Sequence, residues 1–355
     1  MNDASGLGGF GSGSILIRVE IADDRICSVR IDSSRPTRLP RLFLGRPACE
    51  APILAGRLFS LCGRAHAIAS AAAVAAARGA RWTLDPESRA GLLAERVSES
   101  LRSSAAMTND AVDARLLRET LATTRDYAGA ATAGERRVHA RRLREAAAAL
   151  GLRDDRDALE RGSLFGRLAR DCEAAPQLSA APPDALGAED DAAVRDGMRC
   201  DGERFSATPR LPARAPETGA FARRWREAGL SGGALPARLR ARMIDLALCL
   251  ERLEEEDEGN DARSVSGAEG EGFSAVETSR GALYHWTRLT AEGAVSDYAI
   301  LAPTEWNFHP AGPFVAALLG ARLPPRGAEA VVGRLAALLD PCVAFRVEAL
   351  EAVHA

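Results

Sequence analysis

From Ile15 to Ile31 the chain reads ILIRVEIADDRICSVRI, apolar and polar residues alternating around Asp23-Asp24. Period-two alternation about a pair of turn-forming residues predicts a β-hairpin. The rhythm then changes. Ala65 to Arg78 is dense in alanine and ends at Gly79, which predicts a helix. Pro86 to about Thr123 and Glu135 to Leu150 carry apolar residues at helical spacing, as the helices of a bundle do. Residues 172 to 218, rich in Pro, Ala and Asp, read as loop or irregular linker. Leu235 to Glu256 is a further helix pattern, running into the acidic segment EEEDEGN and a Gly/Ser loop. FSAVETSRGALYHWTRLTAEGAVSDYAILAPTEWN then predicts two strands joined by the turn Ala291-Glu292-Gly293, with a Pro-led loop after them. Two helices, around Gly312 to Leu319 and Ala328 to Leu339, precede the closing segment DPCVAFRVEALEAVHA. The expected class is α+β within one domain, 1–355. A helical middle (81–260) lies between small β elements from the N-terminal (12–80) and C-terminal (272–355) regions.

Composition narrows the function more than the fold. A formal net charge of −3 gives no bulk attraction to nucleic acid or anionic lipid. The basic residues are all arginine, a compositional bias rather than a functional sign. Seven cysteines are scattered, odd in number and without a CxxC pair. That argues against a disulfide framework, a thioredoxin-like motif or a zinc ribbon, and for a reducing compartment. The opening MNDASGLGGFGSGS has no charged start followed by an apolar stretch and no twin Arg, so no leader is expected. The longest apolar run, Ile68 to Ala77, is too short to span a bilayer. The expectation is a soluble, cytoplasmic protein.

Three places carry candidate chemistry. Cys62 and His66, four apart, share one face of a helix. They could bind one soft metal, or the imidazole could tune the sulfur; an ordinary helix with a buried Cys and a satisfied His reads equally from the spacing. In DPCVAF, Asp340-Pro341 resembles a helix start, which would place Cys342 in a first helical turn where the dipole favours thiolate. A capped helix with a buried Cys is the plainer alternative. In VETSRGALYHW and APTEWN, Arg280 could project a guanidinium from a turn, and Thr304 offers a hydroxyl from a Pro-stiffened loop. Glu277, His285 and His309 are further polar candidates. GLGGFG (6–11) and GLSGG (229–233) match nucleotide-loop and nucleophile-elbow patterns by letter, but neither follows a strand. A Cys-His hydrolase on Cys62 or Cys342 lacks an orienting acid and an oxyanion motif. GERRVHARRLRE (134–145) has no interleaved aromatics and reads as a solvated helix face.

Taken jointly, four segments in order resemble the large subunit of [NiFe]-hydrogenases. LFLGRPACEAPILAGRLFSLCGRAHAIAS (42–70) is similar to that family's GRDPRDAP followed by QRICGVCPVAHALAS. VETSRGALYHW is similar to VEAPRGALGHW, APTEWN to VPTTWN, and DPCVAFRVE to DPCLACAVH. The matching blocks cover roughly 12–80 and 272–350. In the family two CxxC pairs supply four thiolates to nickel and iron. Here Phe59 and Phe345 stand at one position of each pair, and Cys62 and Cys342 at the other. Pro40 stands where the family has a proton-path glutamate, and Glu348 where it has a histidine.

The resemblance therefore implies a large-subunit-like helical fold without hydrogen turnover and without nickel. It implies Cys62 and Cys342 as two remaining metal ligands, with Arg280 and Thr304 at positions that donate to cyanide on iron. His66 matches a histidine near the bridging sulfurs, and Ser279 replaces the proline of the PRG motif. Phe59 and Phe345 would fill the nickel space. This pattern resembles truncated large-subunit relatives, the hydrogenase accessory proteins of the HupK/HoxV type. It implies a non-catalytic scaffold that holds Fe(CN)2CO transiently, with maturation proteins of the HypC/HypD type and the apo large subunit as partners. A metal-free protein-interaction module is the alternative.

Overall fold

The computed structural model describes residues 13–108, 111–152, 162–255, 259 and 261–352. GLGGFG (6–11) lies outside the described residues, as do 256–258 and 260 of the acidic segment. The predicted hairpin is present as β1 (Ser14–Ala22) and β2 (Arg25–Ser33). Its turn needs two left-handed residues, and Asp23 and Asp24 adopt φ +49° and +57°, a conformation that Asp tolerates better than most. On β1 the inward side chains Ile15, Ile17, Val19 and Ile21 are all buried.

The chain end departs from the expectation. The segment after Cys342 is not a helix but β7 (Ala344–Glu351), parallel to β1 with Ser14 opposite Ala344. The three-stranded sheet has the order β2-β1-β7. The reason is legible: AFRVEALE alternates, with Phe345, Val347 and Ala349 packed on the main core. That period-two pattern against the free edge of β1 overrides the Asp-Pro start signal. Asp340, at φ +51°, ends the preceding helix. Cys342 therefore lies in an irregular turn rather than in the first turn of a helix of its own.

The helices are α1 (Ala51–Leu58), α2 (Gly63–Ala77), α3 (Pro86–Ala105), α4 (Ala111–Gly129), α5 (Ala133–Ala149) and α6 (Leu164–Ala174). They continue as α7 (Asp191–Ala207), α8 (Ala220–Ala228), α9 (Ala234–Glu255), α10 (Pro303–Asn307), α11 (Pro313–Leu318) and α12 (Ala328–Leu339). The stretch expected as one helix from Pro86 to Thr123 is two, α3 ending at Ala105 and α4 beginning at Ala111. The expected linker 172–218 holds α7, whose Val194 and Met198, four apart and buried, pack with Trp286 and Trp306. The prolines of the stretch flank this helix and none lies within it.

The second sheet has four strands where two were expected: β3 (Ala262–Ser266), β4 (Glu271–Thr278), β5 (Gly281–Leu289) and β6 (Val295–Leu301), in sequential antiparallel order. Helix α2 lies across β4 at very short range. A Cβ on Gly272 would come within 2.0 Å of the Ala73 carbonyl oxygen, and Ser274 Oγ donates to the Ala69 carbonyl at 2.7 Å. The alanines of α2 make that approach possible, so the helix carrying His66 sits directly on the sheet carrying His285. Buried ion pairs tie the middle together: Arg96 reaches Asp261 (2.7 Å) and Asp245 (3.4 Å), while Arg223 reaches Asp245 (2.7 Å) and Glu277 (2.8 Å). Among the described residues, no helix is long and apolar enough to cross a membrane.

Candidate metal centre

Cys62 is the residue before the first turn of α2, with no side-chain cap of its own. Glu95 of α3 caps the helix in its place, accepting the Arg64 and Ala65 backbone N–H groups at 2.8 and 3.0 Å. Burial raises this carboxyl to about 7 against those bonds. The Cys62 thiol is itself pushed up by burial, further by the sulfur of Cys342, and opposed by the Arg280 guanidinium. The two cysteines, 280 residues apart in sequence, are thus near enough for the charge of one to bear on the other.

Cys342 is held by Thr304. The hydroxyl at the start of α10 accepts the Cys342 backbone N–H at 3.3 Å and donates to its sulfur at 3.4 Å. Thr304 is buried because Pro303 begins a short helix directly after β6, turning the hydroxyl inward. Arg280 projects from the tight β4–β5 turn, where Gly281 at φ +126° lies against Thr218 and Gly219. It is only 7% exposed. Its Nη2 donates to Glu99 at 3.1 Å and its Nε faces Asp340 at 3.5 Å. Its Nη1 is buried without a hydrogen-bond partner. Burial works against the charge, but Asp340, Cys62, Glu99 and Cys342 outweigh it and hold the guanidinium firmly protonated. Ser279 is half-buried in the same turn.

His66 is buried in α2, and the Phe59 ring stacks on it with centroids 3.7 Å apart. Its Nδ1 lies 2.9 Å from His285 Nε2, and His285 Nδ1 lies 2.8 Å from the Tyr298 hydroxyl, which donates to Ser70 Oγ at 2.7 Å. The bond order assigns the tautomers: His285 gives its Nδ1 proton to Tyr298 and accepts from His66 Nδ1, which leaves His66 Nε2 unprotonated. Burial, helped by His285 and Arg35, keeps His66 well below the ordinary imidazole range. Burial alone lowers His285 to about 3. Both rings are neutral at physiological pH.

The structure thus gathers Cys62, Cys342, Arg280 and Thr304, with His66 in the layer behind Phe59. The expected twin role of the phenylalanines is not kept: Phe345 lies on β7 opposite Ile15 and packs on the main core. Glu277 pairs with Arg223, and His309 Nδ1 accepts the Ala311 N–H at 3.0 Å in a local turn. Sequence reasoning missed Glu99, Asp340 and above all Arg35, which ion-pairs with Glu305 and feels the charge of both cysteines. One signal existed: Glu305 stands where the family motif VPTTWN has its second threonine. Among the described residues, no three His, Cys, Asp or Glu side chains are grouped so as to hold a metal ion. Two cysteines suit a metal that brings most of its own ligands better than a bare ion that needs four.

Comparison with known proteins bears on the fold and the family. A family model for nickel-dependent hydrogenase matches residues 238–348. The chain is similar in fold to the [NiFeSe]-hydrogenase of Dm. baculatum, with a TM-score of 0.61 at 16% identity, covering 91% of this chain and 95% of that one. It is 40% identical to the hydrogenase expression/formation protein HupK of Rhizobium leguminosarum bv. viciae, over 98% of this chain and 99% of the relative. It is 31% identical to the hydrogenase expression/formation protein HoxV of Cupriavidus necator, over 91% and 93% of the two chains. With full-length relatives at that identity and a large-subunit fold beneath them, the chain belongs to the HupK/HoxV family of hydrogenase expression/formation proteins.

Proposed function

We propose that the chain is a non-catalytic scaffold of hydrogenase maturation that carries an Fe(CN)2CO fragment as cargo between Cys62 and Cys342. The observation that carries the reading is Arg280: buried, held on two sides by Glu99 and Asp340, and left with Nη1 unpartnered. An unpaired buried guanidinium N–H is costly unless a ligand completes it. A cyanide nitrogen on iron is an acceptor of the right charge. Thr304 already donates to one of the two sulfurs. Low-spin iron with three diatomic ligands asks for few protein donors, so two thiolates can hold it and still release it. Phe59, at a position where the family has a thiolate, stacks on His66 and argues against nickel. The same fold on the apo large subunit makes that subunit the natural recipient, with maturation proteins of the HypC/HypD type as donors.

Infrared spectroscopy of the chain from a host that makes the maturation machinery tests this, because metal-bound CO and CN⁻ absorb where polypeptide is nearly transparent. One CO and two CN⁻ bands, with iron and no nickel by elemental analysis, are expected. The bands should vanish in Cys62→Ala and Cys342→Ala. Their absence from the wild type, or persistence in both variants, would sink the carrier reading in favour of a metal-free docking protein.

A further inference from the structure

We infer that Arg35 is a second anion-holding arginine of the two-cysteine site, kept in place by Glu305 and completing with Arg280 a pair of guanidinium groups around the cargo. The inference rests on the carrier reading above.

The placement follows from the first sheet. Ser34, one residue beyond β2, donates its N–H to the Ser14 carbonyl at 2.9 Å. Ser14 in turn stands opposite Ala344 at the start of β7. Arg35 and Cys342, each next to one of these residues or two away, therefore emerge from the same end of the sheet. From there the Arg35 side chain, only 16% exposed, crosses to Glu305. Glu305 directly follows Thr304, the residue that bonds both the backbone N–H and the sulfur of Cys342. Both cysteines contribute to the charge that Arg35 feels, and Arg35 in turn helps keep His66 neutral.

Charge balance gives the pair a purpose. Iron(II) with two cyanides, one CO and two thiolates carries a net charge of about −2 by formal count, and burying such a group requires cations close by. Arg280 supplies one, already drawn on by Glu99 and Asp340, which makes a second cation the more necessary. Arg35 supplies the other. A guanidinium has five N–H donors in a rigid fork, and Glu305 engages Nη1, so Nε and Nη2 can serve an anionic ligand while the ion pair persists.

A merely structural ion pair between the β2 exit and α10 would be damaged equally from either end. An anion-holding Arg35 would not, since the amide oxygen in Glu305→Gln still accepts from the guanidinium that Glu305 holds, and only the competing negative charge is removed. The full chain, Arg35→Met, Arg35→Lys and Glu305→Gln are purified from the host with the maturation machinery. Each is checked for folding by a thermal melt and measured by infrared and for iron per chain after gel filtration. Expected are wild-type band intensity in Glu305→Gln, about tenfold less retained iron in Arg35→Met, the loss of one charge-assisted hydrogen bond, and shifted CN⁻ bands with retained iron in Arg35→Lys. Unshifted bands in Arg35→Lys together with undiminished iron in Arg35→Met overturn the inference, as does equal loss in Arg35→Met and Glu305→Gln. Should Arg35→Met not fold, Arg35→Lys against Glu305→Gln decides alone: shifted bands only in the former support it, and identical spectra refute it. No bands in the wild type is a different failure, that of the carrier reading itself.

Discussion

Replacing His285 by Gln probes the buried relay behind the site through its pH dependence. His285 is fully buried, and burial lowers its imidazole to about 3. The unfolded chain protonates the same ring near its ordinary value of about 6.5. Below that value the unfolded state therefore binds a proton that the folded state refuses. The neutral ring contributes its full stability above about 6.5, and this is lost as pH falls toward 3. Integrating that difference from pH 7 to pH 5 gives about 2 kcal/mol for one histidine, at 1.4 kcal/mol per pH unit below the midpoint. Wild-type stability alone does not isolate this, because Glu95, raised to about 7, tilts the opposite way: its folded form keeps a proton between about 4.5 and 7 that the unfolded form has lost. Comparing wild type with His285→Gln cancels the Glu95 contribution. At neutral pH the variant disturbs the bonds to His66 and Tyr298 and loses about 1–3 kcal/mol. Glutamine does not titrate, so by pH 5 that deficit shrinks by about 2 kcal/mol. Urea unfolding followed by far-UV circular dichroism at pH 7, 6 and 5, with the slope unchanged, measures it. A deficit that stays constant over this range refutes a neutral, buried His285.

Asp245 receives Arg223 and Arg96 and is only 3% exposed. Asp245→Ala removes one carboxylate from each of two arginines that keep a second, Asp261 for Arg96 and Glu277 for Arg223, and should cost about 2–3 kcal/mol in urea unfolding; a loss under about 1 kcal/mol would mean the remaining carboxylates suffice. Gly272→Ala puts a methyl group 2.0 Å from the Ala73 carbonyl oxygen and should prevent α2 from seating on β4, seen as loss of soluble protein. Gly129→Ala, with nothing within 4 Å of the new methyl, should stay within about 1 kcal/mol of wild type and serves as the comparison.

The hairpin, α5, α9 and α12 were legible because regular burial leaves a regular sequence, and α2, buried nearly all round, because of its alanine density. Helix α7 was hidden by the prolines on either side and by its own Asp and Gly content, which outweighed the single Val194–Met198 stripe. The end of the chain misled for a different reason. Asp340-Pro341 is a genuine local start signal, but the alternation Phe345, Val347, Ala349 pairs with a strand more than 300 residues earlier. Local propensity carries no information about that free edge. At the site, Cys62, Cys342, Arg280 and Thr304 could be found because each stands in a short contiguous motif. Asp340 stood inside the DPCVAF motif but read only as a helix start, while Arg35 and Glu99 reach the site from separate segments, and a charged residue that acts across the fold has no local spacing to betray it.

The two halves of the site are built differently, and this bears on how it could open. Cys62 begins a helix whose first amides are fixed by Glu95 and whose face is covered by the Phe59–His66 stack, all within α1 to α3. Cys342 sits in a turn with no regular structure of its own, between the left-handed Asp340 and the start of β7. Its local ties run to Thr304 and, through Asp340, to Arg280. Asp340 therefore does two things at once: it ends α12 and couples the cysteine turn to the guanidinium. Residues with few regular backbone bonds open at lower cost than packed helices, so opening the site at the Cys342 turn would cost less than opening it at Cys62. The same movement would draw Asp340 from Arg280, so loosening one sulfur also alters the charge facing the other.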